Sequence, residues 1–263
     1  MRLEDVQLAI RPRSILECLD ITFLFCGRHW VGLLLASMVG IVPFALFNWW
    51  VFQDPDFNPY LGYLLLAMET PWATMLLTLY LGQVTFSRRF SLRKAGRDCS
   101  RALVQMFAFQ VIIRGLCLVI GVLVPMVFLG MYYLNEIILL EQTPLARTWS
   151  RRTALNTRAL GRIVSLRLMD LIVLVVGTYL LARLLATISE LWEDRYQFTP
   201  DLLFDDVFEL DWQVQVAFWL VIVFLTVFRF VSYLDCRIRR EGWDVELKLR
   251  AQAELHRQRE VAQ

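Results

Sequence analysis

The residues in this sequence with chemistry to offer are ionisable side chains set inside otherwise apolar stretches: Glu69, Arg114, Glu136, Asp170 and Arg183. A charge at the centre of a bilayer costs about 2.5 to 3.5 kcal/mol on insertion scales, so each must find a partner, reach the interface or line a polar path. Asp170 and Arg183 fall near the two ends of their stretch and reach the interface along their own stems. Glu69 and Arg114 are deeper, and for them and Glu136 two readings stay open. One is a proton- or ion-coupled path through a polar cleft. The other is structural, with Glu69 paired to Arg114 or Glu136 paired inside a bundle, and it is favoured because transporters usually show more polar spans and internal repeats.

Other chemistry is sparse. His29 and His256 are the only histidines, and no cysteine pair has metal-ligand spacing. The chain has no glycine-rich phosphate loop, no G-x-S-x-G and no EF-hand pattern. These observations argue against an enzyme, a metal centre and a bound cofactor. Cys18, Cys26, Cys99 and Cys236 fall on one predicted side of a membrane and Cys117 within a span, so no disulfide is expected.

The elements that must position the charged residues are membrane helices. Hydrophobic residues make up 57% of the 263, against roughly 45–50% in soluble domains, and the mean hydropathy is +0.50. Ser14 and Glu17 form a capping box after Pro12, so an interfacial helix should start near Ile15. Trp30 to Phe52 carries no charge and is long enough to span a hydrocarbon core of about 30 Å. A turn at Asp54 to Pro59 leads to a second span, from about Tyr60 to Phe86, with Glu69, Thr70 and Pro71 inside it. Ala102 to Leu140 as one helix would run roughly 58 Å, about twice the membrane. A hairpin of two short spans turning near Gly121 to Pro125 is therefore expected, followed by spans at about Leu168 to Ile188 and Trp212 to Leu234.

Charge distribution orients these spans. The stretch Glu141 to Asp170 is basic, with Arg147, Arg151, Arg152, Arg158, Arg162 and Arg167 beside Trp149 and Leu155, and reads as an elbow lying on anionic headgroups. Ser87 to Arg101 is a second such elbow, holding Arg88, Arg89, Arg93 and Lys94. Ser189 to Asp211 carries eight acids against Arg195 and is expected to face outward, with a short helix over Asp201 to Leu210. By the positive-inside rule both termini are cytoplasmic. The expected organisation is a segment 1–29 with an interfacial helix, a six-span domain 30–234, and a charged helical tail 235–263.

In that tail, Asp235 with Arg239, Asp244 with Lys248 and Glu246 with Arg250 are i, i+4 pairs that support a helix in water. Tyr233, Asp235, Arg237, Arg240, Glu241, Gly242, Asp244 and Glu246 form a Y-x-D-x-R-x-R-x-E-G-x-D-x-E pattern that resembles the close of a group of bacterial polytopic membrane proteins. The elbow E-x-x-P-L-A-x-x-W-S from Glu141 and the stretch RPRSILECLD from Arg11 resemble segments of the glycerophosphoryl diester phosphodiesterase membrane-domain superfamily. That domain lacks the phosphodiesterase barrel, so the resemblance implies an assembly subunit and no catalysis. It also implies companions such as a MoxR-type ATPase system and other membrane proteins.

The expectation is thus an all-α polytopic bundle of about six transmembrane helices with interfacial amphipathic helices, in a bacterial inner membrane. It would act as a non-enzymatic scaffold or assembly subunit. Its basic elbows would hold anionic lipid, and Asp235, Arg237, Arg240, Glu241, Asp244 and Glu246 would dock a partner. The rival is a transporter or channel subunit using Glu69, Arg114 and Glu136. Neither nucleic acid nor a cofactor is expected, and an oligomer is compatible with the sequence.

Overall fold

The computed structural model describes residues 13–53, 57–86, 90–121, 124–156, 160–192 and 211–241, and these are helices and turns with no strand among them. Helix α1 (Ile15–Val51) starts where the capping box places it: Ser14 Oγ accepts from the Glu17 amide at 3.2 Å and Glu17 Oε2 accepts from the Ser14 amide at 2.7 Å. The expected interfacial helix and first span are one element, bent at His29, whose backbone leaves helical geometry (φ −116°, ψ 20°).

Asn58 caps α2 (Pro59–Ala73), its Oδ1 accepting from the Tyr60 amide at 2.9 Å, with Pro59 in the first turn where a missing N–H costs nothing. After a break at Thr74, α3 (Met75–Phe86) completes the second span. Pro71 removes one donor from this helix. Thr70, Thr74 and Thr78 each turn their hydroxyl back onto the carbonyl four residues earlier.

From Leu92 onward the basic stretch before the expected hairpin belongs to the helix that follows it. Ser91 caps α4 (Leu92–Met106), which passes through a π-helical segment (Phe107–Ile113) into α5 (Arg114–Ile120). Gly121 then takes φ +68°, a conformation that favours glycine, and turns the chain. The return arm is broken: α6 (Val124–Gly130), a turn, α7 (Leu134–Glu136) and a second π-helical segment (Ile137–Glu141). It is nonetheless a return, because the Gln105 side-chain amide in α4 donates to the Thr143 carbonyl at 2.6 Å. The elbow continues as α8 (Leu145–Asn156), then α9 (Leu160–Trp192) and α10 (Trp212–Glu241). The expected outer helix over 201–210 lies outside the described residues.

Among the described residues, five helices are long and apolar enough to cross a membrane: 15–51, 60–86, 92–120, 160–192 and 212–240. The sixth expected crossing is the broken arm. Its return follows from contacts, because the start of α1 and the end of α10 meet: the Arg13 amide donates to Asp235 Oδ1 at 2.6 Å. Helix ends that meet lie on one side of the bundle, which an even number of passes satisfies.

Burial separates centre from ring. In α10 61% of the apolar window is buried, whereas in α9 only 6% is. Leu168, Leu171, Ile172, Val175, Leu180 and Leu184 of α9 are exposed, an apolar face that water would penalise and hydrocarbon accepts. Helix α10 lies against α9, α1 and α3. Phe228, Phe230, Val231 and Tyr233 are fully buried and form the core with Leu77 and Leu81.

Close backbone approach sets one contact. A Cβ on Gly40 would overlap the carbonyl oxygen of Ala73, which is backbone and has no rotamer to escape by. Gly40→Val should therefore destabilise the bundle by about 1–3 kcal/mol, read as a lowered melting temperature in detergent. An unchanged transition would contradict this packing of α1 on the break after α2.

Candidate functional site

The deep charges that the sequence singles out do not meet each other. Glu69 is buried in α2 and accepts from the Asn48 side-chain amide of α1 at 2.7 Å. Arg114 does not pair with it. Its Nη2 donates at 2.8 Å to the carbonyl of Ala67, and its Nη1 donates to Gln110 Oε1 at 3.3 Å. Ala67 is four residues before Pro71, so its carbonyl is the acceptor that the proline ring leaves without a helical donor. The guanidinium takes the place of the missing amide. Asn135 secures the same region, donating to the Pro71 carbonyl at 3.3 Å and accepting from Gln110 at 2.6 Å.

Glu136 is 1% exposed and lies 3.4 Å from Arg229 Nε, on α10. Asp170 is buried, not carried to the interface, with Arg167 at 3.9 Å on the preceding turn of α9. These separations exceed that of a good charge-assisted hydrogen bond. Sequence reasoning passed over Arg167 as an elbow residue and Arg229 altogether. The signal available was that Arg229 stands alone in an apolar run and therefore needs an interior partner.

Arg114, Arg167 and Arg229 line one cavity of about 200 Å³, together with Thr70, Gln110, Asn135 and Tyr132 and apolar residues of α5 and α6. Arg229 sits twelve residues, about 18 Å, before the end of α10. The ring of Tyr132 stacks under Arg167, whose guanidinium carbon is 4.3 Å from its centroid.

A second polar assembly lies where the basic elbows are. Asp235 is fully buried and accepts from the Arg13 amide at 2.6 Å, Arg162 Nη2 at 2.5 Å and Arg239 Nε at 2.9 Å. The same two guanidiniums donate to the Arg13 carbonyl, at 3.0 Å and 2.6 Å. On the other face of α10, Glu141 accepts from Arg151 at 2.6 Å and 3.0 Å and from the Tyr233 hydroxyl at 2.6 Å, with Arg237 at 3.6 Å. The i, i+4 spacing of Tyr233 with Arg237 and Asp235 with Arg239 thus feeds two clusters from one helix.

This corrects several expected roles. Asp235 has no surface with which to dock a partner, and Arg237 faces Glu141. Arg240 is half-buried. Of the elbow residues, Arg93, Lys94 and Arg147 are exposed, whereas Arg151 is engaged by Glu141. Arg152 stacks at 4.1 Å on the Trp149 ring, and burial lowers its pKa from the usual arginine value. Arg88, Arg89, Arg158, Asp244 and Glu246 lie outside the described residues, as does the side chain of Glu241.

The Pro71–Arg114 relation is testable by a double-mutant cycle. Pro71→Ala supplies an amide to the Ala67 carbonyl, so Arg114→Met should cost less in that background than in the wild type, with a coupling above about 0.5 kcal/mol. Strict additivity would contradict the assigned role. Searches against protein-family models, curated proteins and solved structures find no match to this chain.

Proposed function

We propose that the protein is a non-enzymatic scaffold or assembly subunit of a bacterial inner-membrane complex, with both termini in the cytoplasm. The observation that carries this reading is the fate of the three candidate coupling charges. Glu69 is used by Asn48, Arg114 by the Ala67 carbonyl, and Glu136 lies against Arg229. Each ties a different pair of elements, and Glu69 does not line the cavity that Arg114 shares with Arg167 and Arg229. Polar groups distributed in this way rigidify a bundle. A rigid bundle with an exposed basic face suits holding lipid and companions together.

The contacts of the motif-bearing stretches support the same reading. Arg13 and Glu141 come from the two segments that resemble the phosphodiesterase membrane domain, Tyr233 and Asp235 from the segment that resembles the close of bacterial polytopic membrane proteins, and they meet in the two clusters on α10. Their chemistry there is hydrogen bonding between helix ends, which fits a domain that keeps its fold without a catalytic barrel. Arg93, Lys94, Arg97 and Arg101 are exposed on α4 and would rest on anionic headgroups at roughly 1 kcal/mol each. Companions would include other membrane proteins and, by the resemblance, a MoxR-type ATPase system. The rival reading, a transporter or channel subunit, draws on the cavity lined by three arginines.

Purification from the native host in mild detergent, followed by mass spectrometry of what co-elutes, tests the proposal. A scaffold should bring down stoichiometric companions, and Glu69→Gln should retain them. Elution alone, combined with loss of function in Glu69→Gln, would overturn the scaffold reading in favour of transport.

A further inference from the structure

The cavity carries an unbalanced charge. Three guanidiniums line it, from Arg114, Arg167 and Arg229, and no carboxylate does. The two carboxylates behind the wall, Glu136 and Asp170, stand 3.4 Å and 3.9 Å from their arginines. Arg114 faces only neutral acceptors, the Gln110 amide and the Ala67 carbonyl. Among the described residues the arithmetic is three positive charges against two negative ones. The Nε atoms of Arg114 and Arg167 are buried and without a hydrogen-bond partner. A guanidinium so placed is costly unless an anion accompanies it.

We infer that this cavity binds a small oxyanion of phosphate type, held by Arg114, Arg167 and Arg229. The size agrees: about 200 Å³ accommodates roughly six waters at about 30 Å³ each, or one phosphate-sized group with part of its hydration. The chemistry agrees as well, because planar guanidiniums match oxyanions through paired N–H donors. The Gln110 and Asn135 amides on the same wall add neutral polar contacts. The group comes either from a free anion or from the phosphate of a phospholipid. This site is independent of the scaffold reading, which requires no ligand.

The full chain in phosphatidylcholine nanodiscs, equilibrated with radiolabelled inorganic phosphate, provides the test, with native mass spectrometry of the detergent-purified protein as the second arm. Wild type is expected to bind one phosphate, or to retain one phospholipid through extensive washing when the source is lipid. Arg114→Gln balances the charges and keeps a donor near Ala67, so phosphate affinity should fall at least about tenfold, or the retained lipid should be lost. Asp170→Asn raises the excess to two and should tighten phosphate binding severalfold, or hold the lipid through harsher washing. Arg114→Lys should restore part of the binding. Absence of both phosphate binding and a retained phospholipid in wild type overturns the assignment. So does an Arg114→Gln protein that melts as wild type does and binds equally well.

Discussion

The buried carboxylate of Asp235 is the interaction on which the architecture depends. Three donors from three parts of the chain converge on it: the Arg13 amide before α1, Arg162 at the start of α9 and Arg239 one turn along α10. A carboxylate with no solvent exposure would be expelled from the fold without them, and loss of one partner of such a pair typically costs about 3–5 kcal/mol. Because its partners are the two ends of the described bundle and the start of its outermost long helix, satisfying this one side chain fixes how the passes begin and end together. Glu141 repeats the device on the opposite face of α10, binding the return arm of the hairpin to the elbow helix through Arg151 and to α10 through Tyr233.

From that end the structure is continuous with the cavity. Tyr233 lies against Tyr133 with ring centroids 5.7 Å apart, and Tyr133 against Tyr132 at 4.5 Å. Tyr132 in turn supports Arg167 at the cavity wall. The polar interior is therefore a set of local solutions to one problem, in which Glu69, Arg114, Glu136, Glu141 and Asp235 each find a partner on another helix because hydrocarbon offers none. Pro71 creates such a problem inside α2, and Arg114 answers it.

Much of the fold was legible in the sequence because the signals are of long range and physically blunt. Apolar runs of membrane length gave the spans, the Ser14–Glu17 pair gave the start of α1, and Gly121 marked the hairpin turn. The boundaries were less legible. A basic elbow and an apolar span follow different hydropathy patterns but share one helical backbone, so α1, α9 and α10 each run through the predicted border. The partners of the interior charges were not legible at all. Glu69 with Asn48 and Arg114 with Ala67 depend on which faces of adjacent helices meet, and apolar runs lacking a moment carry no record of facing. Asp235 looked like a solvated tail residue because its neighbours are charged. It is buried for the same reason, since Arg239 and the distant Arg162 neutralise it.

The most direct measurement is amide hydrogen exchange on wild type and Asp235→Asn in the same detergent. If Asp235 holds the amino-terminal start of the bundle, the substitution should speed exchange over Ser14 to Cys18 and the first turns of α9 by about a hundredfold, while the middle of α10 stays protected. Equal protection of those segments in both proteins would contradict the account.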